Sequence, residues 1–176
     1  MSYYVKHYIR TVPDYPVEGV NFYDMNSLFA SDIWSDVVGK MAENLESKTE
    51  FLPTHIAGIE SRGFVVGAAV ADALNIPFVM IRKKGAKYPG KLLEESYELE
   101  YGTDTLTLQE GVLGHTSRVV IADDLIATGG SMLASRKLCE QAGAKVLGCV
   151  AVINLKYLNT SEFESMDILS GWELLS

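Results

Sequence analysis

Two adjacent carboxylates, Asp123 and Asp124, follow a short apolar run and precede a turn of small residues. The apolar run, residues 119–122, is typical of a buried parallel strand. Carboxylates at the carboxyl end of such a strand can accept hydrogen bonds from a sugar diol, at the edge where open α/β sheets bind ligands. The turn at residues 127–131 precedes a helical pattern, and N–H groups at a helix start bind phosphate. The pattern therefore predicts a receptor for a ribose 5-phosphate group.

The alternative is that the two acids are a polar strand end and the glycine pair is an ordinary loop. Two neighbouring acids at the end of an apolar strand repel each other unless other groups compensate, which makes this alternative the weaker one. The other common phosphate motifs, Gly-x-x-x-x-Gly-Lys-Ser/Thr and Gly-x-Gly-x-x-Gly, do not open a helix at this point.

Residues 58–64, Gly-Ile-Glu-Ser-Arg-Gly-Phe, repeat the order of strand, tight loop and helix. A loop that carries Arg62 at a helix start suits a second anionic group such as a pyrophosphate. A solvated turn, with Glu60 and Arg62 in water, explains this segment equally well when it is taken alone.

A basic segment, residues 82–95, follows the next predicted strand and contains the densest cluster of cations in the chain. Charge runs are usually solvated faces, but the glycines here favour a mobile lid that closes over phosphates. Glu98 and Glu100 then lie on one face of a predicted strand, and their spacing alone does not choose a general acid between them.

Composition limits the classes of partner. The chain has 176 residues, 48% of them hydrophobic, and a formal net charge of −8, which suits one domain with a sizeable core and disfavours nucleic acid or an anionic membrane. No apolar run reaches the length of a membrane span or a signal peptide. Cys139 and Cys149 lack metal or redox spacing and are expected to be buried thiols of a reduced, cytoplasmic protein. The scattered histidines show no ligand spacing.

The pattern of apolar residues predicts alternating strands and helices, and hence an α/β fold with a mostly parallel sheet and helices on both faces. Asp32 is the predicted N-cap of the second helix, and the tail from residue 156 on has no clear pattern. The predicted helices cover residues 5–12, 33–45, 64–74 and 131–142, and the predicted strands 55–59, 77–81, 97–101, 104–109, 119–122 and 145–154.

The segment from residue 118 to 132 resembles the phosphoribosyl-pyrophosphate (PRPP) motif of the type I phosphoribosyltransferases over its whole length. Five segments, in matching order and separation, are together similar to the adenine phosphoribosyltransferase family within that group. They are residues 14–20 (Asp-Tyr-Pro-Val-Glu-Gly-Val), 58–64, 82–85 (Arg-Lys-Lys-Gly), 96–104 (Ser-Tyr-Glu-Leu-Glu-Tyr-Gly-Thr-Asp) and 118–131.

This resemblance implies a type I phosphoribosyltransferase fold: one domain over residues 1–176, with a small N-terminal hood of about residues 1–30 that contributes to the base pocket. It implies purine salvage, in which adenine and PRPP give AMP and pyrophosphate. It also implies Mg²⁺, held mainly through PRPP rather than by protein ligands, and a homodimer.

The resemblance assigns roles residue by residue. Glu100 corresponds to the catalytic carboxylate that exchanges a proton with the base. The ribose and 5′-phosphate site corresponds to Asp123, Asp124, Ala127, Thr128, Gly129, Gly130 and Ser131. The pyrophosphate site corresponds to Ser61, Arg62, Arg82, Lys83 and Lys87, with a non-proline cis peptide between Glu60 and Ser61 and with Arg82 lent across the dimer interface. The base pocket corresponds to Asn21, Phe22, Tyr23 and Leu125.

The chain departs from the family pattern at several positions. Tyr23 stands where the family usually has arginine, Asn21 where it has an aliphatic residue, and Ala86 resembles an insertion in the basic segment. Two alternatives therefore stay open. One is a phosphoribosyltransferase for 6-oxopurines (hypoxanthine, guanine or xanthine), and the other is a regulator that binds PRPP without catalysis, because sites rather than folds carry function.

Overall fold

The centre of the molecule is a seven-stranded sheet, seen in a computed structural model that describes residues 5–98 and 102–174. The strands are β1 (Arg10–Val12), β2 (Phe22–Asp24), β3 (His55–Ile59), β4 (Phe78–Lys83), β5 (Leu92–Glu98), β6 (Thr103–Gln109), β7 (Arg118–Ile126), β8 (Lys145–Leu155) and β9 (Ile168–Leu174). The α-helices are α1 (Asn26–Phe29), α2 (Trp34–Lys48), α3 (Arg62–Ala73) and α4 (Gly130–Gln141).

The strand order in the large sheet is β5-β6-β4-β3-β7-β8-β9. Neighbours from β4 to β9 in that order are parallel, whereas β6 pairs antiparallel with both β4 and β5. The predicted mostly parallel sheet is therefore confirmed. β1 and β2 form a separate antiparallel pair near the N-terminus.

Both faces of the sheet are buried at its centre, where the side chains of β7 alternate between two apolar clusters. Val120 and Ala122 pack into the cluster that contains the buried faces of α2 and α3. Val119 and Ile121 pack into the opposite cluster, beneath α4. This continuous burial explains why the sequence of β7 is an unbroken apolar run, and it holds the carboxyl ends of β3 and β7 side by side.

Several local predictions are wrong. Residues 5–12 do not form one helix, since residues 10–12 pair as β1 with β2. Helix α2 has Ile33 rather than Asp32 at its N-cap. The basic loop is shorter than predicted, because β4 continues to Lys83 and β5 begins at Leu92. The tail supplies a strand, β9, at the edge of the sheet.

Cys139 and Cys149 are both free and buried, as predicted. Burial raises the pKa of each thiol to about 12, with a further contribution from a nearby carboxylate in each case. Among the described residues, no helix has both the length and the apolar character needed to cross a bilayer.

Candidate functional site

The carboxyl ends of β3 and β7 open into a cleft of about 410 Å³. Seven of the residues predicted from the sequence meet there: Ser61, Arg62, Lys83, Asp123, Asp124, Leu125 and Ser131. The rest of the lining consists of Ile59, Glu60 and Tyr97. The cleft lies where the loops after two neighbouring parallel strands each begin a helix, which is the position that open α/β sheets use for ligands.

The two adjacent acids lie within β7, which continues to Ile126 rather than ending before them. Asp123 Oδ1 accepts a hydrogen bond of 2.9 Å from the N–H of Asp124. The start of α3 approaches closely because Gly63 has no side chain: a Cβ there would lie 2.9 Å from Asp123 Oδ1 and 2.8 Å from the carbonyl oxygen of Ala122. Glycine at this position thus lets α3 close one wall of the cleft.

Burial disfavours charge on both acids. Burial, followed by the charge of Asp124, raises the pKa of Asp123 well above its usual value. Burial also raises the pKa of Asp124, although the Arg62 guanidinium opposes that shift. Within the described part of the chain, Asp124 Oδ2 is buried and accepts no hydrogen bond, although Arg62 Nε lies 3.1 Å away as an ion-pair partner. This oxygen can therefore accept a hydrogen bond from a ligand.

Arg62 connects the acids to the N-terminal hairpin formed by β1 and β2. Besides its ion pair with Asp124, its Nη1 donates a hydrogen bond of 3.3 Å to the carbonyl oxygen of Tyr23. Its guanidinium carbon lies 5.2 Å from the centre of the Phe22 ring, in the range of a cation–π contact. One side chain thus contacts Asp124 and two residues predicted for the base pocket.

The turn after β7 has the geometry of an anion site. Gly129 adopts a φ of +90°, a conformation that favours glycine, and α4 begins at Gly130. Thr128 Oγ1 accepts a hydrogen bond of 3.4 Å from the N–H of Gly130. The other N–H groups of the first turn of a helix lack partners within the helix, so this turn can offer them to a ligand.

The basic residues at the end of β4 pair with carboxylates. Arg82 Nε lies 3.3 Å from Glu60 Oε2, and the same oxygen accepts a hydrogen bond of 2.9 Å from the N–H of Lys83. Burial alone would raise the pKa of Glu60, but these hydrogen bonds and the charges of Arg82 and Lys83 lower it overall. Lys83 Nζ lies 3.4 Å from Asp104. Lys87 is exposed in the turn before β5.

The remaining predicted base residues lie in the N-terminal hairpin. Phe22 is partly buried and makes an edge-to-face contact with Tyr15, at a ring-centre distance of 5.2 Å. Burial and a hydrogen bond to Tyr157 raise the pKa of Tyr23. Asn21 is exposed. The hairpin therefore places the Phe22 ring beside Arg62, and it contacts the tail through the hydrogen bond between Tyr23 and Tyr157.

A family model described as the phosphoribosyl transferase domain matches residues 25–166. An adenine phosphoribosyltransferase of Rhodospirillum rubrum is 46% identical over 159 residues, which cover 90% of this chain and 91% of the relative. Another from Brachyspira hyodysenteriae is 45% identical over 156 residues, covering 88% and 89% of the two chains. The chain belongs to the adenine phosphoribosyltransferase family.

Solved structures agree with this membership. The adenine phosphoribosyltransferase of Thermoanaerobacter pseudethanolicus has a TM-score of 0.89 at 36% identity, covering 98% of this chain and 99% of that one. The enzyme of Saccharomyces cerevisiae, in complex with an imino-altritol bisphosphate and adenine, has a TM-score of 0.84 at 33% identity and covers 96% of each chain. The predicted type I phosphoribosyltransferase fold is confirmed.

Adenine phosphoribosyltransferases are pentosyltransferases of purine salvage that form AMP and pyrophosphate from adenine and PRPP. The main functional prediction is confirmed at this level. The relatives named above do not support the 6-oxopurine alternative.

Two parts of this family member's site were missed by the sequence analysis. Glu60 and Asp104 hold Arg82 and Lys83 at the end of β4. Tyr97 lines the cleft, and its pKa is raised to about 12, first by burial and then by the charge of Asp104. The tail contacts the turn after β7 through residues 159–163. Glu60, Tyr97 and Asp104 lie inside segments that resemble the family, but no role was assigned to them, and the tail carries no motif. The predicted catalytic residue, Glu100, lies outside the described residues.

Proposed function

We propose that this cleft forms AMP and pyrophosphate from adenine and PRPP, with Asp123 and Asp124 holding the ribose hydroxyls and the turn at residues 127–131 holding the 5′-phosphate. The observation that carries this assignment is the buried Asp124 Oδ2, which accepts no hydrogen bond from the described residues and lies in the same cleft as the start of α4. A sugar hydroxyl would supply the missing donor, and the helix start suits a phosphate on the same sugar.

Binding of the sugar changes the partners of Arg62. In the proposed complex the ribose hydroxyls replace Arg62 on Asp124, and the guanidinium becomes available to the pyrophosphate. Ser61, Arg82, Lys83 and Lys87 are proposed to complete the pyrophosphate site. Arg62 and Lys83 already lie in the cleft, and cations placed beside a leaving pyrophosphate stabilise the charge that develops on it.

The expected Mg²⁺ would be held mainly by the phosphates of PRPP. The carboxylates in the cleft suit such an ion, because Mg²⁺ usually keeps several water ligands and binds through one or two carboxylates together with substrate phosphates. When bound, the ion would neutralise negative charge on the pyrophosphate.

The reaction exchanges two bonds at C1 of the ribose. Purine N9 forms the glycosidic bond while the bond from C1 to the pyrophosphate oxygen breaks and its electron pair leaves with pyrophosphate. Glu100 is proposed to accept the proton that the purine loses, and a positioned base of this kind contributes about 10²- to 10⁴-fold. Phe22 and Leu125 are proposed to sandwich the purine, with Asn21 and Tyr23 reading it through main-chain groups.

We also propose that residues 1–176 form a single domain whose hood is about residues 1–30, and that the protein is a cytoplasmic homodimer. Two buried, unpaired thiols are compatible with a reduced compartment. In the single chain Arg82 lies on Glu60, and the family resemblance suggests that a dimer would bring it to the partner subunit's cleft. Sedimentation velocity at several protein concentrations tests the dimer.

Initial rates of pyrophosphate release with PRPP and each purine test the proposed function. We expect turnover with adenine and little with hypoxanthine, guanine or xanthine. Equal or faster turnover of hypoxanthine would favour the 6-oxopurine alternative. PRPP binding with no pyrophosphate release from any purine would favour the non-catalytic regulator.

Glu100→Gln tests the proton transfer. We expect turnover to fall about 10²- to 10⁴-fold with little change in PRPP affinity. Glu98→Gln is the matched control, because Glu98 is an exposed glutamate two residues earlier. An unchanged rate constant for the chemical step in Glu100→Gln would remove Glu100 from this role.

A further inference from the structure

The turn that is proposed to bind the 5′-phosphate has its carbonyl groups bonded to the tail. Asn159 Nδ2 donates a hydrogen bond of 2.7 Å to the carbonyl oxygen of Ala127. The carbonyl oxygen of Thr128 accepts two more, at 3.1 Å from the N–H of Thr160 and at 3.2 Å from its hydroxyl. Two consecutive peptide groups of the turn are thus held by two consecutive residues of the tail.

These bonds orient the N–H groups of the turn. A peptide group is planar and trans, so its N–H points away from its C=O. Fixing the carbonyl of Ala127 therefore fixes the N–H of Thr128, and fixing the carbonyl of Thr128 fixes the N–H of Gly129. The tail holds the carbonyl side of both peptides, which leaves both N–H groups directed away from it.

The same tail supports Gly129 by packing. The ring of Phe163 is almost fully buried and lies against Gly129, where any added Cβ would overlap the ring. Phe163 is tied to the rest of the contact, because its N–H donates a hydrogen bond of 3.3 Å to Thr160 Oγ1.

Asn159 is itself held in place. Its Nδ2 also donates a hydrogen bond of 2.9 Å to Oδ1 of Asn154, a buried residue near the end of β8. The contact therefore connects the turn after β7 to the neighbouring strand through a single amide. Such an arrangement fixes the position of a carbonyl more firmly than an exposed side chain could.

We infer that Asn159 and Thr160 are positioning residues for phosphate binding: they hold the carbonyls of Ala127 and Thr128 so that the adjoining N–H groups face the 5′-phosphate of PRPP. This inference rests on the proposed function, because it assumes that the turn binds that phosphate. Preorganised N–H donors lower the entropic cost of ordering the turn when the ligand binds.

Two variants test the inference. Asn159→Leu keeps the approximate size of the side chain and removes the donor to Ala127. Thr160→Val removes the hydroxyl, and with it the donor to Thr128 and the acceptor for the N–H of Phe163, but it leaves the main-chain bond to Thr128, so its effect is smaller. We expect the Kd of ribose 5-phosphate and the KM of PRPP to rise about tenfold in Asn159→Leu and about threefold in Thr160→Val, while the KM of adenine changes less than about twofold.

Two controls separate positioning from general damage to the tail. Thr160→Ser keeps the hydroxyl donor and is expected to restore the affinity lost in Thr160→Val. Ser165→Ala removes a hydroxyl that bonds only to the carbonyl of Glu162 among the described residues, and it is expected to leave both KM values unchanged. Circular dichroism and thermal unfolding verify that each variant folds, and Thr160→Val decides the question if Asn159→Leu does not.

Folded variants that bind ribose 5-phosphate and PRPP as tightly as the wild type would overturn the inference and leave the proposed function intact. An equal rise in the KM of adenine and PRPP would also overturn it, since it would indicate general disorder. A wild-type protein that neither binds ribose 5-phosphate nor releases pyrophosphate would refute the proposed function, and the inference with it.

Discussion

The loops after β3 and β7 lie side by side and each begins a helix, but different parts of the chain hold them. The loop after β3 is held by charged side chains: Glu60 pairs with Arg82, and Arg62 pairs with Asp124. The turn after β7 has no charged side chain between Leu125 and Met132, and the tail holds it through main-chain carbonyls and the Phe163 ring.

This difference suits the two anions that the loops are proposed to bind. A 5′-phosphate stays on the sugar through the reaction, so a fixed turn of N–H groups is sufficient to bind it. Pyrophosphate is released after the reaction. Cations that exchange carboxylate partners for phosphate partners can bind it and then release it by returning to the carboxylates. The comparison makes four predictions, in order of decreasing effect.

Gly129→Ala is expected to have the largest effect on stability. The new Cβ would overlap the Phe163 ring and would also force a positive φ on a residue that disfavours it, at a combined cost of roughly 2–5 kcal/mol. Gly111→Ala is the matched control, because Gly111 has a φ of +85° and no atom within 4 Å of an added Cβ. Urea unfolding measures both, and equal losses would show that the tail does not support the turn.

Asp124→Asn is expected to weaken PRPP binding about 10- to 100-fold, because hydrogen bonds to a charged group contribute about 1.5–3 kcal/mol. Titration calorimetry with PRPP measures the change. Asp72→Asn, at an exposed position on α3, controls for the loss of one negative charge. Unaltered PRPP affinity in Asp124→Asn would contradict the assignment of the sugar hydroxyls to the acid pair.

Although Asp124→Asn is expected to weaken PRPP binding, it is expected to increase the stability of the ligand-free protein. Burial raises the pKa of both acids in the folded state, and the charge of Asp124 raises the pKa of Asp123 further. Their contribution to stability is therefore fully present below the unfolded value of about 3.9 and is lost as pH rises through the raised folded values. Without ligand, Asp124→Asn should become more stable relative to the wild type as pH rises, as measured by urea unfolding across pH. A difference that shrinks with rising pH would refute this sign.

Glu60→Gln is expected to have the smallest effect on the free energy of unfolding. This effect should depend on pH in the opposite sense to that of Asp124→Asn. The lowered pKa of Glu60 means that its contribution is present above the unfolded value of about 4.3 and is lost as pH falls through the lower folded value. At neutral pH the loss should be below about 1 kcal/mol, because Glu60 and Arg82 are partly exposed. Glu94→Gln removes the exposed pair with Lys84 and should cost less. A larger loss of stability in Glu94→Gln than in Glu60→Gln would contradict this prediction, because it would make the exposed pair of Glu94 and Lys84 the stronger one.

The sheet and most of the cleft could be predicted because their signals are local. The apolar run of β7 reflects burial on both faces, and the glycine pair after it reflects a turn that needs a positive φ at Gly129. Asp123 and Asp124 were identifiable since charged residues directly after a buried apolar run require an explanation.

The parts that were missed depend on long-range contacts. Residues 10–12 have apolar neighbours at helical spacing, and only pairing with residues 22–24 makes them a strand. The pair of Glu60 and Arg82 requires β3 and β4 to lie side by side. Asn159 donates a hydrogen bond to a main-chain carbonyl 32 residues away, and an asparagine after a strand has no property in the sequence that distinguishes it from an ordinary loop residue.

The two cysteines provide a chemical reporter for the α4 side of the molecule. Cys139 and Cys149 both belong to the apolar cluster that contains Phe163 and Met132. A buried thiol with a pKa near 12 reacts with alkylating reagents only after the surrounding structure opens. The rate of alkylation in native buffer would therefore measure how often this cluster opens, and a nucleotide that binds and stabilises the turn after β7 would slow the labelling of both positions.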